Sequence, residues 1–204
     1  MKRGNINYIE FRTGERIMRI SEVLGRRRKS LTVVLENIND PHNLSAVLRT
    51  CDAVGIFEVH LLYHGGQPIP KVSPTSSGSA KKWVYRNLYD SVDECYSKIR
   101  SENKKIYTTN ITKDVVSLYS LDLTVPVALV FGNEHAGVSE EATVKADGNF
   151  LIPQVGMIQS LNISVACAVC LFEAYRQRLA AGQYEKPELS ETEFESLMIE
   201  WSAK

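Results

Sequence analysis

The chain has 204 residues and 44% hydrophobic content, enough for one large domain with short additions. Lys+Arg and Asp+Glu balance at 24 each, so overall charge selects neither for nor against a nucleic-acid partner. No apolar run reaches membrane-spanning length and Met1-Lys2-Arg3 is followed by polar residues, so no membrane partner is expected and the expected location is the cytoplasm.

The distribution of charge says more. Lys and Arg outnumber Glu from Arg3 to Lys29, while Glu185 to Glu200 is mostly acidic. A basic arm is the electrostatic footprint of phosphate binding, although a solvated helix face produces the same pattern. Of the four cysteines, Cys167 and Cys170 have CxxC spacing, but they lie in an apolar helical run with no second pair. Small core residues, and no metal, are expected.

In chain order, Arg12 to Arg28 reads as a basic helix with Ile17, Ile20, Val23 and Leu24 on one stripe. Leu31 to Leu35 reads as a buried strand. Asp40-Pro41 supplies an N-cap and a first-turn proline for a helix running to Gly55. Phe57 to Tyr63 is the next strand, and His64 to Lys82 a long Gly/Pro/Ser-rich loop. Trp83-Val84-Tyr85 reads as a short strand, Ser91 to Glu102 as a helix, Lys105 to Thr109 and Val125 to Phe131 as strands. Ser139 to Lys145 reads as a helix, Phe150 to Ile152 as a strand, Leu161 to Leu179 as a helix, and Glu191 to Trp201 as a last amphipathic segment. Apolar strands alternating with helices predict a mostly parallel sheet covered on both faces. No GxGxxG follows the first strand and no GxxxxGK[ST] occurs, so the common dinucleotide and P-loop sites are not indicated.

Three segments at predicted strand-to-helix junctions could carry chemistry. The first is the helix after Asp40. At about 100° per residue, Leu44, Val47, Leu48, Cys51 and Val54 share one face, and His42, Ser45, Arg49 and Asp52 share another. An Arg49–Asp52 surface pair is the plain reading; a ligand-facing stripe is the functional one. The second is Phe131-Gly132-Asn133-Glu134-His135-Ala136-Gly137, a glycine-flanked turn whose two glycines allow close approach to a ligand. The third runs from Ile152-Pro153 through Ser160-Leu161-Asn162 into Ile163-Ser164-Val165-Ala166. Ser160 is a plausible N-cap, which leaves Asn162 as an awkward polar amide just inside an apolar helix. Ligands in open α/β sheets gather at such carboxyl ends.

Together the three segments resemble the SpoU (TrmH) family of RNA ribose 2'-O-methyltransferases within the SPOUT superfamily. The first family motif looks like Asn43 through Arg49, the second like the turn from Phe131 to Gly137, the third like Ile152-Pro153 through Ala166. The similarity spans roughly residues 15 to 185 and is nearest to the bacterial TrmH branch. That branch carries basic residues before the first strand and after the last motif, and a Ser/Gly loop before an aromatic strand. Here these are Arg16, Arg19, Arg26, Arg27, Arg28, Arg176, Arg178 and Ser77-Gly78-Ser79.

The resemblance implies a single SPOUT methyltransferase domain over residues 1–204. A basic helix at about 12–28 and a C-terminal helical extension at about 185–202 would be RNA-binding or dimer additions. It implies an α/β fold with a C-terminal trefoil knot, an exception to the rule against knots, and a homodimer. The implied reaction is S-adenosyl-L-methionine-dependent methylation of the 2'-OH of guanosine 18 in the D-loop of tRNA. Matched position by position, Asn43, Arg49, Glu134, Ser160 and Asn162 correspond to catalytic positions. Thr109, Gly132, Ile152 and Leu161 correspond to cofactor-contacting positions, and Arg16, Arg19, Arg27, Arg176 and Arg178 to RNA contacts. Other readings remain beside it: a ribosomal RNA 2'-O-methyltransferase, a non-catalytic RNA-binding dimer, and an α/β enzyme on a small substrate. The family mechanism makes Arg49 the base. Arginine ordinarily has a pKa of about 12.5–13.8, so neutralising one near pH 7 costs on the order of 8 kcal/mol. Arg49 therefore stands as either a base in a site that lowers its pKa or a cation stabilising the developing alkoxide.

Overall fold

The computed structural model of the protein describes residues 14–70, 79–110 and 114–204. The start of the basic helix at Arg12 and the Ser77-Gly78 end of the long loop lie outside these.

Seven strands form one sheet: β1 (Leu31–Glu36), β2 (Glu58–Leu62), β3 (Tyr85–Tyr89), β4 (Lys105–Thr109), β5 (Val116–Ser117), β6 (Val127–Phe131) and β7 (Gly148–Leu151). Their order is β3-β2-β1-β6-β4-β7-β5, and every neighbouring pair is parallel. The helices are α1 (Gly14–Gly25), α2 (Pro41–Ala53), α3 (Val92–Ser101), α4 (Glu140–Val144), α5 (Ile163–Ala180) and α6 (Glu191–Ser202). β1 and β6 are buried at every residue, as interior strands of a sheet covered on both faces must be. Alternation along β1 sends Val33 and Leu35 to a core with Leu44, Val47 and Leu48 of α2 and Cys167, Cys170 and Leu171 of α5. Val34 points the other way, to Val92, Cys95, Tyr96 and Ile99 of α3 and Ala142 of α4.

A third cluster joins the two ends of the chain. Ile20 and Leu24 of α1 pack with Leu189 and Trp201 around α6. The acidic C-terminal segment is thus the partner of the basic N-terminal one. Lys29 Nζ lies 2.6 Å from Glu193, whose carboxyl is held down at about 2 by that ammonium and by the Ser190 amide and hydroxyl of its capping box. Glu188 accepts from the Lys29 and Ser30 amides at 2.7 and 2.9 Å.

Several boundaries differ from the sequence reading, and β5 is an additional short strand. The basic helix ends at Gly25 because Arg28 already bridges Ile56 as an extension of the sheet. Trp83 and Val84 belong to a tight turn, and the strand begins at Tyr85. β5 has two residues, too few to show a period. Helix α5 starts at Ile163, and its N-cap is Asn162 rather than Ser160: the Asn162 side chain accepts from the Ser164 amide.

β4 and β5 are consecutive in the chain, yet β7 lies between them. Thr109 and Val116 both pair with Phe150, one on each side. The chain therefore leaves β7 between the two ends of the segment 110–115.

Candidate active site at the carboxyl ends of the strands

The loop after β1 enters α2 through Asp40, whose carboxylate accepts from the His42 amide at 2.8 Å, with Pro41 at the first helical position. This places Asn43 in the first turn, facing the loop after β6. That second loop is a tight turn. A Cβ at Gly132 would lie 2.1 Å from the carbonyl of Gly137, so only glycine fits there. Asn133 fastens the turn, accepting from His135 and Ala136 amides at 2.9 and 3.2 Å and donating to the Asn37 carbonyl at 2.9 Å. On its Cβ side Gly132 is therefore closed by the turn's own backbone.

The three motifs meet in one chain of side-chain hydrogen bonds. Asn162 Nδ2 donates to Asn43 Oδ1 at 3.2 Å, and Asn43 Nδ2 donates to Glu134 Oε1 at 2.7 Å. Its polarity is fixed at both ends. Asn162 Oδ1 is occupied by the Ser164 amide and hydroxyl at 2.9 and 2.6 Å, so the Asn162 amide group must donate onward. An ionised Glu134 can only accept. Asn162 is thus an exposed cap residue, and the awkward buried amide of the sequence reading does not occur. Tyr63 borders the site, donating to the Ile38 carbonyl at 2.6 Å; its phenol is pushed up by burial and further by the Glu134 charge.

Arg49 and Ser160 are exposed and join none of these bonds. Arg49 has no carboxylate partner among the described residues, because Asp52 is taken by Arg27. The predicted surface pair Arg49–Asp52 is absent, and Ser45 of the supposed polar stripe is fully buried. Thr109, Gly132 and Ile152 stand just at or beyond the ends of β4, β6 and β7, three neighbours in the sheet. Thr109 Oγ1 donates to the Val130 carbonyl at 3.1 Å, tying β4 to β6. Ile152 and Leu161 are partly buried, and Ile152 packs on the core. Between them, residues 153–161 make no backbone-to-backbone hydrogen bond among the described residues, which leaves backbone groups there for a ligand.

Glu36, which sequence reasoning missed, holds this end of the sheet together. Its buried carboxylate accepts from the Ser139 amide and hydroxyl at 2.9 and 2.6 Å and meets His64 Nε2 at 2.7 Å. The available signal was a lone carboxylate closing an otherwise apolar strand.

Two of the predicted RNA contacts are corrected. Arg27 is fully buried, paired with Asp52, donating to the Ile56 carbonyl at 2.9 Å and stacked 5.1 Å over Trp201. Arg178 is fully buried and donates to the Leu123 and Val125 carbonyls at 2.8 Å each and to Ser30 Oγ at 2.7 Å. Neither guanidinium can reach a phosphate. Arg28 is buried too. Arg19 and Arg176 are exposed, ion-paired with Glu22 and Glu173, and Arg16 is half-buried. The four cysteines are buried thiols, and no cluster of three metal-ligating side chains occurs among the described residues.

The sequence profile described as the SpoU rRNA Methylase family matches residues 30–172, and its C-terminal companion, SpoU, rRNA methylase, C-terminal, matches 176–202. The chain belongs to the SpoU methylase family. A tRNA (guanosine(18)-2'-O)-methyltransferase of Thermus thermophilus is 47% identical over 193 residues, covering 95% of this chain and 98% of that protein. The Aquifex aeolicus TrmH/SpoU tRNA modifying enzyme superimposes with a TM-score of 0.86 at 36% identity, over 93% of this chain and 95% of that one. An AdoMet-bound rRNA methyltransferase from Sinorhizobium meliloti gives a TM-score of 0.65 at 26% identity, over 76% of this chain and 59% of that one. In this SpoU chain the three family motifs are therefore one constellation, and the parallel sheet is the frame that gathers them. No helix among the described residues is long and apolar enough to cross a membrane.

Proposed function

We propose that this SpoU chain transfers a methyl group from S-adenosyl-L-methionine to the ribose 2'-OH of guanosine 18 in the D-loop of tRNA. The observation that carries the reading is the Asn162–Asn43–Glu134 chain, which unites three motifs far apart in sequence at the ligand-binding end of the sheet. The near full-length relative from Thermus favours tRNA over ribosomal RNA.

The cofactor pocket would be formed by Thr109, Gly132, Ile152 and Leu161. The fit is chemical: Ile152 and Leu161 offer apolar walls, and the backbone of 153–161 offers unpaired donors and acceptors for an adenine edge. When bound, S-adenosyl-L-methionine supplies an electrophilic methyl on a sulfonium, already a good leaving group. What this chain's residues must do is align the ribose oxygen and favour loss of its proton. Arg49, exposed and without a partner among the described residues, offers its N–H donors to the 2'-oxygen and a neighbouring phosphate. It has no acceptor, so it acts as a cation lowering the cost of the developing alkoxide. Asn43 sets Glu134, whose second oxygen remains open to a ligand donor, and Ser160 borders the same opening. Arg16, Arg19 and Arg176 would meet RNA phosphates, the last two by releasing Glu22 and Glu173.

In the same reading the chain is one methyltransferase domain with α1 and α6 as additions, and it is a homodimer. α5 is apolar on both sides, and Val165, Phe172 and Leu179 repeat along its exposed side every seven residues. Val155, Met157 and Ile158 beside the site are exposed as well. Phe172→Asp is expected to weaken dimerisation by about 30-fold, a hot-spot loss of about 2 kcal/mol, read by light scattering against concentration. An unchanged dimer would remove this face from the interface. The trefoil knot that the family resemblance implies is supported by Thr109 and Val116 flanking Phe150.

Incubation with labelled S-adenosyl-L-methionine and either total tRNA or ribosomal RNA tests the activity. Label in tRNA mapped to the 2'-O of guanosine 18 is expected. Label only in ribosomal RNA, or in neither, overturns the reading.

A further inference from the structure

A second basic surface lies far from the site, at the open edge of the sheet. Lys81, Lys82, Arg86 and Lys204 line a cleft of about 460 Å³ together with Val84 and Tyr85. Among the described residues β3 pairs only with β2, and no further strand lies on this edge. Alternation along β3 leaves Arg86 and Leu88 exposed while Tyr85 and Asn87 turn inward. Lys81 and Arg86 have no carboxylate partner among the described residues. The carboxylate beside the cleft, Glu200, is already engaged by the Tyr85 hydroxyl at 2.7 Å and by Lys204 Nζ at 2.9 Å.

The cleft is built. Lys204 Nζ donates to the Lys82 carbonyl at 2.8 Å and lies 5.0–5.8 Å from the ring centres of Tyr85, Trp201 and Trp83. This cation–π cage fixes one positive charge at the cleft and occupies the aromatic faces. Bases cannot stack on rings already covered by an ammonium. The surface thus offers cations without a base-reading element, a combination suited to backbone phosphates.

We propose that Lys81, Lys82 and Arg86, on a cleft whose shape Lys204 holds, form a phosphate-backbone contact for the RNA substrate, remote from the reacting nucleotide. The proposal rests on the RNA-methylating reading above. β3 is four strand positions from β4, or about 19 Å across the sheet, and the cleft is at the amino end of β3 while the reacting residues are at the carboxyl ends. A contact there engages a neighbouring helical arm of a folded RNA. It adds affinity without sequence information.

The test is Lys81→Ala/Arg86→Ala, both outside the catalytic set, with tRNA affinity measured by anisotropy over a salt series. Two lost phosphate contacts flatten the slope of log K against log[salt] by about 1.4–1.8. A tRNA affinity loss of about tenfold at low salt is expected, with turnover at saturating tRNA unchanged. An RNA stem-loop holding only the target nucleotide's arm should bind both proteins alike. An unchanged tRNA slope overturns the proposal, as does polyglutamate competing as well as tRNA of equal charge, which would assign the cleft to acidic protein. Methyl transfer is read in the same samples. A patch-dependent slope without transfer by the unaltered protein would keep the contact and overturn the activity; full transfer with an unchanged slope would do the reverse.

Discussion

Arg49→Ala is expected to lower methyl transfer at saturating tRNA and cofactor by about 10²–10³-fold, the cost of removing one donor aimed at a developing oxyanion, about 2.7–4 kcal/mol. The fold should not notice. Arg49 is exposed and has no side-chain bond among the described residues, so thermal stability should stay within about 0.5 kcal/mol. That contrast separates a chemical role from a structural one. Adding guanidinium analogues to the alanine protein then separates the two chemical roles. A rescue rate that is independent of analogue pKa fits a cation at the alkoxide; a rate that rises with the fraction of neutral analogue makes the side chain the base. Near wild-type turnover without any analogue would sink both.

Arg178→Ala should do the opposite: destabilise the fold by about 3–5 kcal/mol through burial of unpaired partners. The truncation strips donors from the carbonyls of Leu123, Val125 and Ser30 and leaves Glu188 without the guanidinium 3.8 Å away. At about 2–4 °C per kcal/mol for a chain of this size, the melting midpoint drops by about 6–20 °C. Burial depresses the Arg178 pKa, yet the guanidinium stays charged and donates to the loop before β6. Below the new midpoint, the salt slope of tRNA binding should be that of the unaltered protein. A flattened slope with an unchanged midpoint would return Arg178 to the RNA surface.

These two arginines show what the sequence could and could not disclose. The central strands were legible because Val33-Val34-Leu35 of β1 and all of β6 are apolar runs. The entry to α2 was legible because Asp40-Pro41 is a local signal complete within a few residues. The RNA assignments of Arg27 and Arg178 failed because their acceptors are remote: Ser30 is 148 positions from Arg178, and Asp52 is 25 from Arg27. A basic residue gives the same local pattern whether it faces a phosphate or a ring of carbonyls. The site divides the same way. The motifs were readable one at a time, but the bonds that join them span 91 and 119 positions, and no spacing rule reaches that far. Asn162 looked misplaced only because Ser160 was taken for the cap.

The placement of β7 between β4 and β5 also sets an order of events. β5 touches the sheet through β7 and no other strand. During synthesis Val116 and Ser117 emerge well before Phe150 and Leu151, and they have nowhere to dock until the later strand arrives. The slot beside β4 must meanwhile stay open, since early closure by β5 would exclude its rightful occupant. A nascent chain still lacking β7 also lacks α5 and its side of the first core, and has none of Ile152, Leu161 or Asn162 in place. In the proposed reading, the cofactor pocket is complete only once β7 and the start of α5 have joined the sheet.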